Sequence, residues 1–344
     1  MLAFHRFEGT LDDWGTILAT FPDAEIFQTP AWMRFIAESH HATPVIAELR
    51  DGNEVVGYFA GLAMRKLGIK ILGSPFIGWT TDFMGIRLKT GTPKRAAIEA
   101  LRHFAFRQYG CLHFEFADRQ FEPDDLTGLG FHAQRSVSYL VDLKPEEEDI
   151  YHRFSSKSCR YPIRKAAKEG VVIEEACDDA FADEYYAQLK DVFAKQNLVP
   201  TYGPERVRLL IKHLFPTGNL LLLRAREPRG DCIATGLFLG SNKTAYFWGN
   251  ASWRQHQHYC PNESLHWHAM RYWKQQGMEV YDFCGGGDYK RKYGGEEVQR
   301  FLFYKSKYRW VATARGLAYR FFRWKQRLLG LGKGADQQDG SERP

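Results

Sequence analysis

Long apolar runs are missing from this chain. Nowhere in its 344 residues do the ~20 consecutive apolar residues of a bilayer-spanning helix occur, so no membrane span is predicted. Metal-ligating spacing is equally scarce: the six cysteines, Cys111, Cys159, Cys177, Cys232, Cys260 and Cys284, form no CxxC pair. They read as reduced, mostly buried thiols, and no metal is expected. No GxxxxGK[ST] is present, and no GxGxxG follows a strand to open a helix, which excludes the common nucleotide loops. The opening MLAFHRFEGTLDDW carries acidic residues where a signal peptide keeps an apolar run, which predicts a cytoplasmic protein.

What is present is ample material for a core. With 44% hydrophobic and 15% aromatic residues, the chain can bury one large domain or two ordinary ones. Its net charge of +6 favours anionic partners such as nucleotides, phosphorylated lipids, RNA or a membrane surface. Much of that excess is local, because Arg309, Arg315, Arg320, Arg323, Lys325, Arg327 and Lys333 fall in a stretch without one acidic residue. The remainder is close to neutral.

The pattern along the chain repeats once. FQTPAWMRFIAES predicts an extended entry at Phe27 and Gln28, then a helix with proline in its first turn and Trp32, Phe35 and Ile36 on one face. PVIAELRDGNEVVGYFAGLAMRKLGIKILGSP reads as two strands around an Asp51-Gly52 turn and a third ending near Gly73. A helix over Pro93 to Gln108 and the strand CLHFEFA follow. After LKPEEED the order recurs: a helix ending at Gly170, the strand VVIEEA, helices over Ala180 to Gln196 and Gly203 to Leu214, then strands NLLLLRAR, DCIATGLFLGS and TAYFWGNAS. A helix capped by Asn262 and stopped by Gly277 leads to the strand MEVYDF. The class expected is α/β (α+β), a structural duplication with its boundary near residues 142 to 150.

The chemistry concentrates in VYDFCGGGDYKRKYGG, residues 280 to 295. A strand feeding three glycines and a Lys/Arg/Lys cluster exposes backbone N–H groups beside cations, which suits a phosphate or a developing oxyanion with Lys290 supplying charge. A plain strand-to-turn connection with solvated lysines is the other reading. Cys284 beside the glycines is a candidate nucleophile without an accompanying His/Asn motif. Asp282, closing the strand, either accepts a proton or anchors the glycine N–H groups. His256, His258, His266 and His268 cluster in WRQHQHYCPNESLHWHAMRYW, but His266 and His268 point about 200° apart on a helix, which argues against a metal. Trp248, Trp253 and Trp267, with Glu263, either line an acceptor wall or pack as core and rim.

FQTPAW, GSPFIGWTTDFMG, RYPIRKAAKEGV, PNESLHW and YDFCGGGDYKRKYGG, in that order, together resemble the FemAB-type transferases and their acetyltransferase-like relatives linked to polysaccharide synthesis. The resemblance spans roughly residues 25 to 305. It implies two fused GNAT domains, each a mixed, mostly antiparallel sheet flanked by helices, over residues 1–145 and 146–308, with the chemistry in the second. It also implies transfer of an acyl or aminoacyl group from an activated carrier to a cell-envelope precursor, lipid-linked or peptidoglycan-derived. Carried over by position, the family's aromatic-lysine pair falls on Tyr289 and Lys290, with Lys290 stabilising the tetrahedral intermediate. The substrate-facing arginines fall on Arg160 and Arg164, whose alternative is a solvated helix face. Asp82 with Trp79 falls at the family's cleft, as a base for the acceptor or as a loop anchor.

One departure bears on the donor. A coenzyme A site is ordinarily an R/Q-x-x-G-x-G/A loop opening a helix, whereas GNASWRQHQHYCPNES lacks those glycines. Acyl-CoA held differently is the expected donor, and aminoacyl-tRNA the alternative; the long helical hairpin that assists tRNA binding in some relatives is not visible. A catalytically silent protein that binds a glycan or lipid intermediate is the reading from another class. Residues 309–329 predict a basic amphipathic helix suited to an anionic membrane, and the Gly/Gln/Asp-rich stretch 330–344 predicts disorder.

Overall fold

The computed structural model describes residues 1–66, 68–195, 197–317, 320–321 and 324–325. They form two compact units: Met1–Ser138 with Val298–Ala314, and Tyr139–Glu297 with the described residues from Arg315 onward.

The first unit begins with β1 (Leu2–Arg6), then α1 (Leu11–Leu18), whose capping box pairs Thr10 with Asp13. A 3-10 turn over Ile26–Gln28, in place of the expected extended entry, leads to α2 (Pro30–His40). The Gln28 side chain accounts for the difference, bonding the Glu25 N–H at 3.1 Å and the Met84 carbonyl at 2.7 Å. Helix α2 buries Trp32, Phe35 and Ile36, as the spacing predicts. The meander is β2 (Thr43–Asp51), β3 (Glu54–Lys66) and β4 (Ile69–Ser74), with the short β5 (Ile86–Leu88) pairing β3. Helix α3 (Lys94–His103) runs into a π-turn before β6 (His113–Ala117), which lies parallel to β4. Strand β7 (His132–Asp142) carries the chain into the second unit.

There, α4 (Glu147–Arg153), a π-turn over Ser156–Arg160 and α5 (Tyr161–Lys168) precede β8 (Val172–Glu175). Helices α6 (Phe181–Ala194) and α7 (Pro204–Leu214) lead to the antiparallel strands β9 (Leu220–Arg226), β10 (Cys232–Ser241) and β11 (Thr244–Ser252). Helix α8 (Pro261–Gln275) then crosses over to β12 (Val280–Asp282), parallel to β11 and antiparallel to residues 140–142 of β7. The parallel pairing requires that crossover helix. Asn262 is not the cap of α8. That place belongs to Cys260, with φ at 57°, followed by Pro261 in the first turn. The Asn262 amide instead donates to Ser252 Oγ at 3.2 Å and accepts from Asn250 at 3.1 Å, tying the end of β11 to the start of α8.

Strand β13 (Glu296–Ser306) returns the chain, and its residues 302–306 pair antiparallel with β6. The sheet order is β1-β2-β3-β4-β6-β13 in the first unit and β7-β12-β11-β10-β9-β8 in the second. Each is the mixed, mostly antiparallel sheet with flanking helices expected of the class, and each has its own core, around Phe59, Phe104 and Phe114 in one and Tyr281, Phe283 and Trp273 in the other. Helical backbone occurs at 309–317, 320–321 and 324–325; the rest of the expected basic helix and residues 330–344 lie outside the described residues.

Candidate active site

Strands β11 and β12 part company early. Their ladder has three rungs, ending at Tyr246 and Asp282, while β11 continues to Ser252 along β10. Among the described residues, backbone groups beyond the last rung have no ladder partner on the β12 side. In parallel sheets, ligands gather outside the carboxyl ends of the strands, and this is where β12 hands over to the glycines.

The turn that follows has a strained backbone. Cys284 adopts φ of 50° and donates its N–H to Asp282 Oδ1 at 2.8 Å, so buried Asp282 anchors the turn. Gly287, at φ 129°, opens a 3-10 turn over Asp288–Tyr293 in a conformation that side chains rarely adopt. Gly294 permits a close approach, since a Cβ there would stand 2.7 Å from the Arg153 carbonyl.

Lys290 points inward from this turn and is 5% exposed. Its ammonium donates to the Phe283 carbonyl at 2.8 Å and the Gly285 carbonyl at 2.9 Å. The Phe247 and Phe283 rings lie 5.6 and 5.8 Å away, within the range of cation–π attraction. Carbonyl dipoles and ring faces thus replace part of the hydration that a buried cation loses. Tyr289, half-exposed beside it, is 5.8 Å from the ammonium, and desolvation raises its phenol pKa.

His266, on α8, is buried against Phe247, Phe283 and Tyr293, with Nδ1 2.8 Å from the Tyr281 hydroxyl. Burial pushes its pKa down to about 3, aided by the charges of Lys292 and Lys290. At neutral pH it is an uncharged core residue. No group of three or more His, Cys, Asp or Glu residues suited to a metal occurs among the described residues.

The other expected residues divide between the units. Glu263, in the first turn of α8, is ion-paired with Lys292, whose carbonyl accepts from the Ser155 N–H at 2.8 Å. That pair, unforeseen from the sequence, leaves Glu263 committed. Arg160 ends the π-turn with its Nε buried and unpartnered, and Arg164 is exposed on α5. Trp248 lies 5.9 Å from Tyr202, also with a buried, unpartnered ring N–H, whereas Trp267 packs on Tyr151 and Phe154. The tryptophans therefore have separate neighbourhoods. In the first unit, Trp79 stacks on His40 with ring centroids 4.0 Å apart, and Asp82 accepts from Arg300 at 2.9 Å.

The start of α8 bears on coenzyme A. Pro261 lacks an N–H, Cys260 provides no side-chain cap, and Glu263 places a carboxylate in the first turn. A diphosphate would meet few donors there.

Residues 153–293 match the family model described as acetyltransferase (GNAT) domain. Among solved structures, the chain is similar to "Crystal structure of FemX", with TM-score 0.69 and 12% identity over 86% of this chain and 96% of that one. A tandem GNAT protein from the clavulanic acid biosynthesis pathway gives TM-score 0.56 and 12% identity, over 89% and 98% of the two chains. The C-terminal domain of a putative lysylphosphatidylglycerol synthetase from Agrobacterium fabrum gives 0.51 and 12%, over 86% and 91%. No curated protein sequence matched the chain. At such identities the structural likenesses establish the fold.

Proposed function

We propose, from the match of residues 153–293 to the acetyltransferase (GNAT) domain model, that the chain is an acyltransferase that moves an acyl group from a thioester onto an amine or hydroxyl of a polysaccharide or cell-envelope precursor. The observation that carries this reading is the early parting of β11 and β12 with Lys290 buried at the opening. The thioester supplies an activated carbonyl, and the chain's own groups do the rest.

In this reading the unpaired backbone of Phe247–Ser252 holds the amides of the carrier arm in strand fashion. Lys290 is a fixed cation toward which charge on the carbonyl oxygen develops. Because carbonyls already hold its ammonium, little reorganisation accompanies the reaction, which is the condition for electrostatic preorganisation to act. Tyr289, its phenol protonated at neutral pH, is the group able to return a proton to the departing thiolate. Trp248, Arg160 and Arg164 are the proposed contacts to the substrates, and the acceptor's proton passes to solvent water. His266, kept uncharged at neutral pH by burial, does not serve as an imidazolium acid.

Two observations support an envelope-type acceptor. The fold is shared with FemX and with a lysylphosphatidylglycerol synthetase domain. Beyond β13, Trp310, Leu317, Phe321 and Trp324 are exposed at spacings of one helical face, among Arg309, Arg315 and Arg320. That pattern suits an anionic lipid surface, and we propose peripheral membrane contact there; no helix among the described residues is long and apolar enough to cross a membrane.

The test is to incubate the full chain with a radiolabelled acyl-pantetheine thioester and envelope membranes. Label is expected in a lipid-linked or glycan amide or ester. Label that stays on the thioester, or is released only as free acid, contradicts the proposal.

A further inference from the structure

Resting on the thioester reading above, a cationic stripe on the second unit points to what carries the donor. We infer that it is an acidic carrier protein, docked on Lys157, Tyr161, Arg164 and Lys168 so that its phosphopantetheine arm enters beside β11.

These residues follow one another at spacings of four, three and four along the π-turn and α5, the repeat of a single helical face. Cys159 and Ala166, on the opposite side, are buried, and Ile163 packs on the core. All four stripe residues are exposed, Tyr161 at 58%. The side chains of Lys157, Arg164 and Lys168 make no ion pair or hydrogen bond among the described residues. Elsewhere in this unit Arg208, Arg226, Arg254 and Arg271 each have a carboxylate partner. Unsatisfied cations around an exposed aromatic side chain fit an acidic protein surface.

The stripe also stands where the arm must enter. Helix α5 packs against α8 and the turn over Arg254–Tyr259, and the π-turn packs against Asp288–Tyr293. Those are the segments following β11 and β12, and Lys165 fastens the arrangement by donating to the His258 carbonyl at 2.7 Å.

The start of α8 separates a carrier protein from coenzyme A. A nucleotide donor brings a diphosphate needing a cluster of N–H donors, whereas Pro261 removes one N–H from the first turn of α8 and the Glu263 carboxylate stands beside the others. A carrier protein brings one phosphodiester, and its remaining acidic groups lie on its own surface, opposite the stripe. RNA would meet the same cations, but single-stranded ends need stacking platforms, and the stripe offers one ring.

The experiment measures binding of the full chain to four probes: the holo form of an acyl carrier protein of fatty-acid synthesis, its apo form, coenzyme A, and bulk tRNA. The holo protein is expected to bind at least about tenfold more tightly than coenzyme A and to weaken between about 50 and about 300 mM salt. The K157E/R164E/K168E variant is expected to lose about tenfold or more of that affinity at an unchanged thermal midpoint, since all three side chains are exposed. Wild-type affinity in that variant, coenzyme A binding as tightly as the holo protein, or displacement of the carrier by tRNA would overturn the inference. Turnover of acetyl-pantetheine distinguishes the failures. If it persists without carrier binding, only the inference fails; if acetyl-pantetheine is refused as well, the thioester reading fails with it.

Discussion

Both units contain a parallel strand pair joined by a crossover helix, and they treat its carboxyl end differently. In the first unit β4 stops where its ladder with β6 stops, at Ser74. Polar side chains then stitch the end shut. Ser74 Oγ donates to the Ala60 carbonyl at 2.5 Å and accepts from the Gly85 N–H at 2.7 Å, and Glu115 accepts from the Ile77 N–H at 2.8 Å. Buried Asp118 accepts from the Ile86 N–H at 2.8 Å and from Arg87 at 3.0 Å. In the second unit β11 runs on past its last rung, and the place of the stitches is taken by a lysine lodged among ring faces and carbonyls. One pair is closed by hydrogen bonds that stabilise a scaffold; the other leaves β11 without a strand partner beyond Tyr246 on that side among the described residues.

The comparison can be broken at several points. The largest effect is expected where the first unit is stitched. Asp118→Ala takes the acceptor from the Ile86 N–H and from one arm of the buried Arg87 guanidinium, which keeps only Asp23 as a carboxylate partner, and should cost about 3 kcal/mol in urea unfolding. Acyl transfer per folded molecule should stay unchanged. A loss below about 1 kcal/mol would show that the stitch is dispensable. Lys290→Met should then lower kcat by about 10²–10³, the magnitude of losing one oxyanion donor, with melting measured alongside to separate catalysis from loop collapse. Unchanged turnover in a folded variant removes the mechanism.

Smaller effects sharpen the same contrast. Tyr289→Phe should slow turnover roughly tenfold, under the usual ~10²–10⁴ for a proton donor because a thiolate leaves with little help. His266 gives a signature in pH. Its pKa is about 3 when folded against 6.5 in a free chain, so the unfolded state binds a proton that the native state refuses. Its contribution to stability is complete above pH 6.5 and is lost toward pH 3, at about 1.4 kcal/mol per pH unit. In His266→Gln the dependence of urea-unfolding stability on pH between 6 and 4 should be shallower by that one proton; an unchanged slope contradicts the assignment.

Much of this contrast was legible in residue patterns, and the unread parts have physical causes. The alternation in PVIAELRD and EVVGYFAG and the Asp51-Gly52 turn fix β2 and β3 locally, so periodicity found them. Strand β13 mixes Glu296, Glu297, Gln299 and Arg300 with apolar residues, and its partner β6 is distant in sequence, so no local signal marks it. The Thr10/Asp13 capping box is a local signal for the start of α1. At the site, the glycine run and Lys290 were evident because glycine and charge are visible in composition. That the ammonium turns inward, and that Glu263 is held by Lys292, depend on the packing of α5 against α8 and of the π-turn against Asp288–Tyr293.

The most direct measurement is amide hydrogen exchange on the full chain, with and without a non-hydrolysable acyl-pantetheine analogue. The account predicts slower exchange in peptides covering Phe247–Ser252, where the edge of β11 lacks a partner, and no change over Ile71–Ser74 in the first unit. Unaltered exchange at Phe247–Ser252, or protection confined to the first unit, would contradict it.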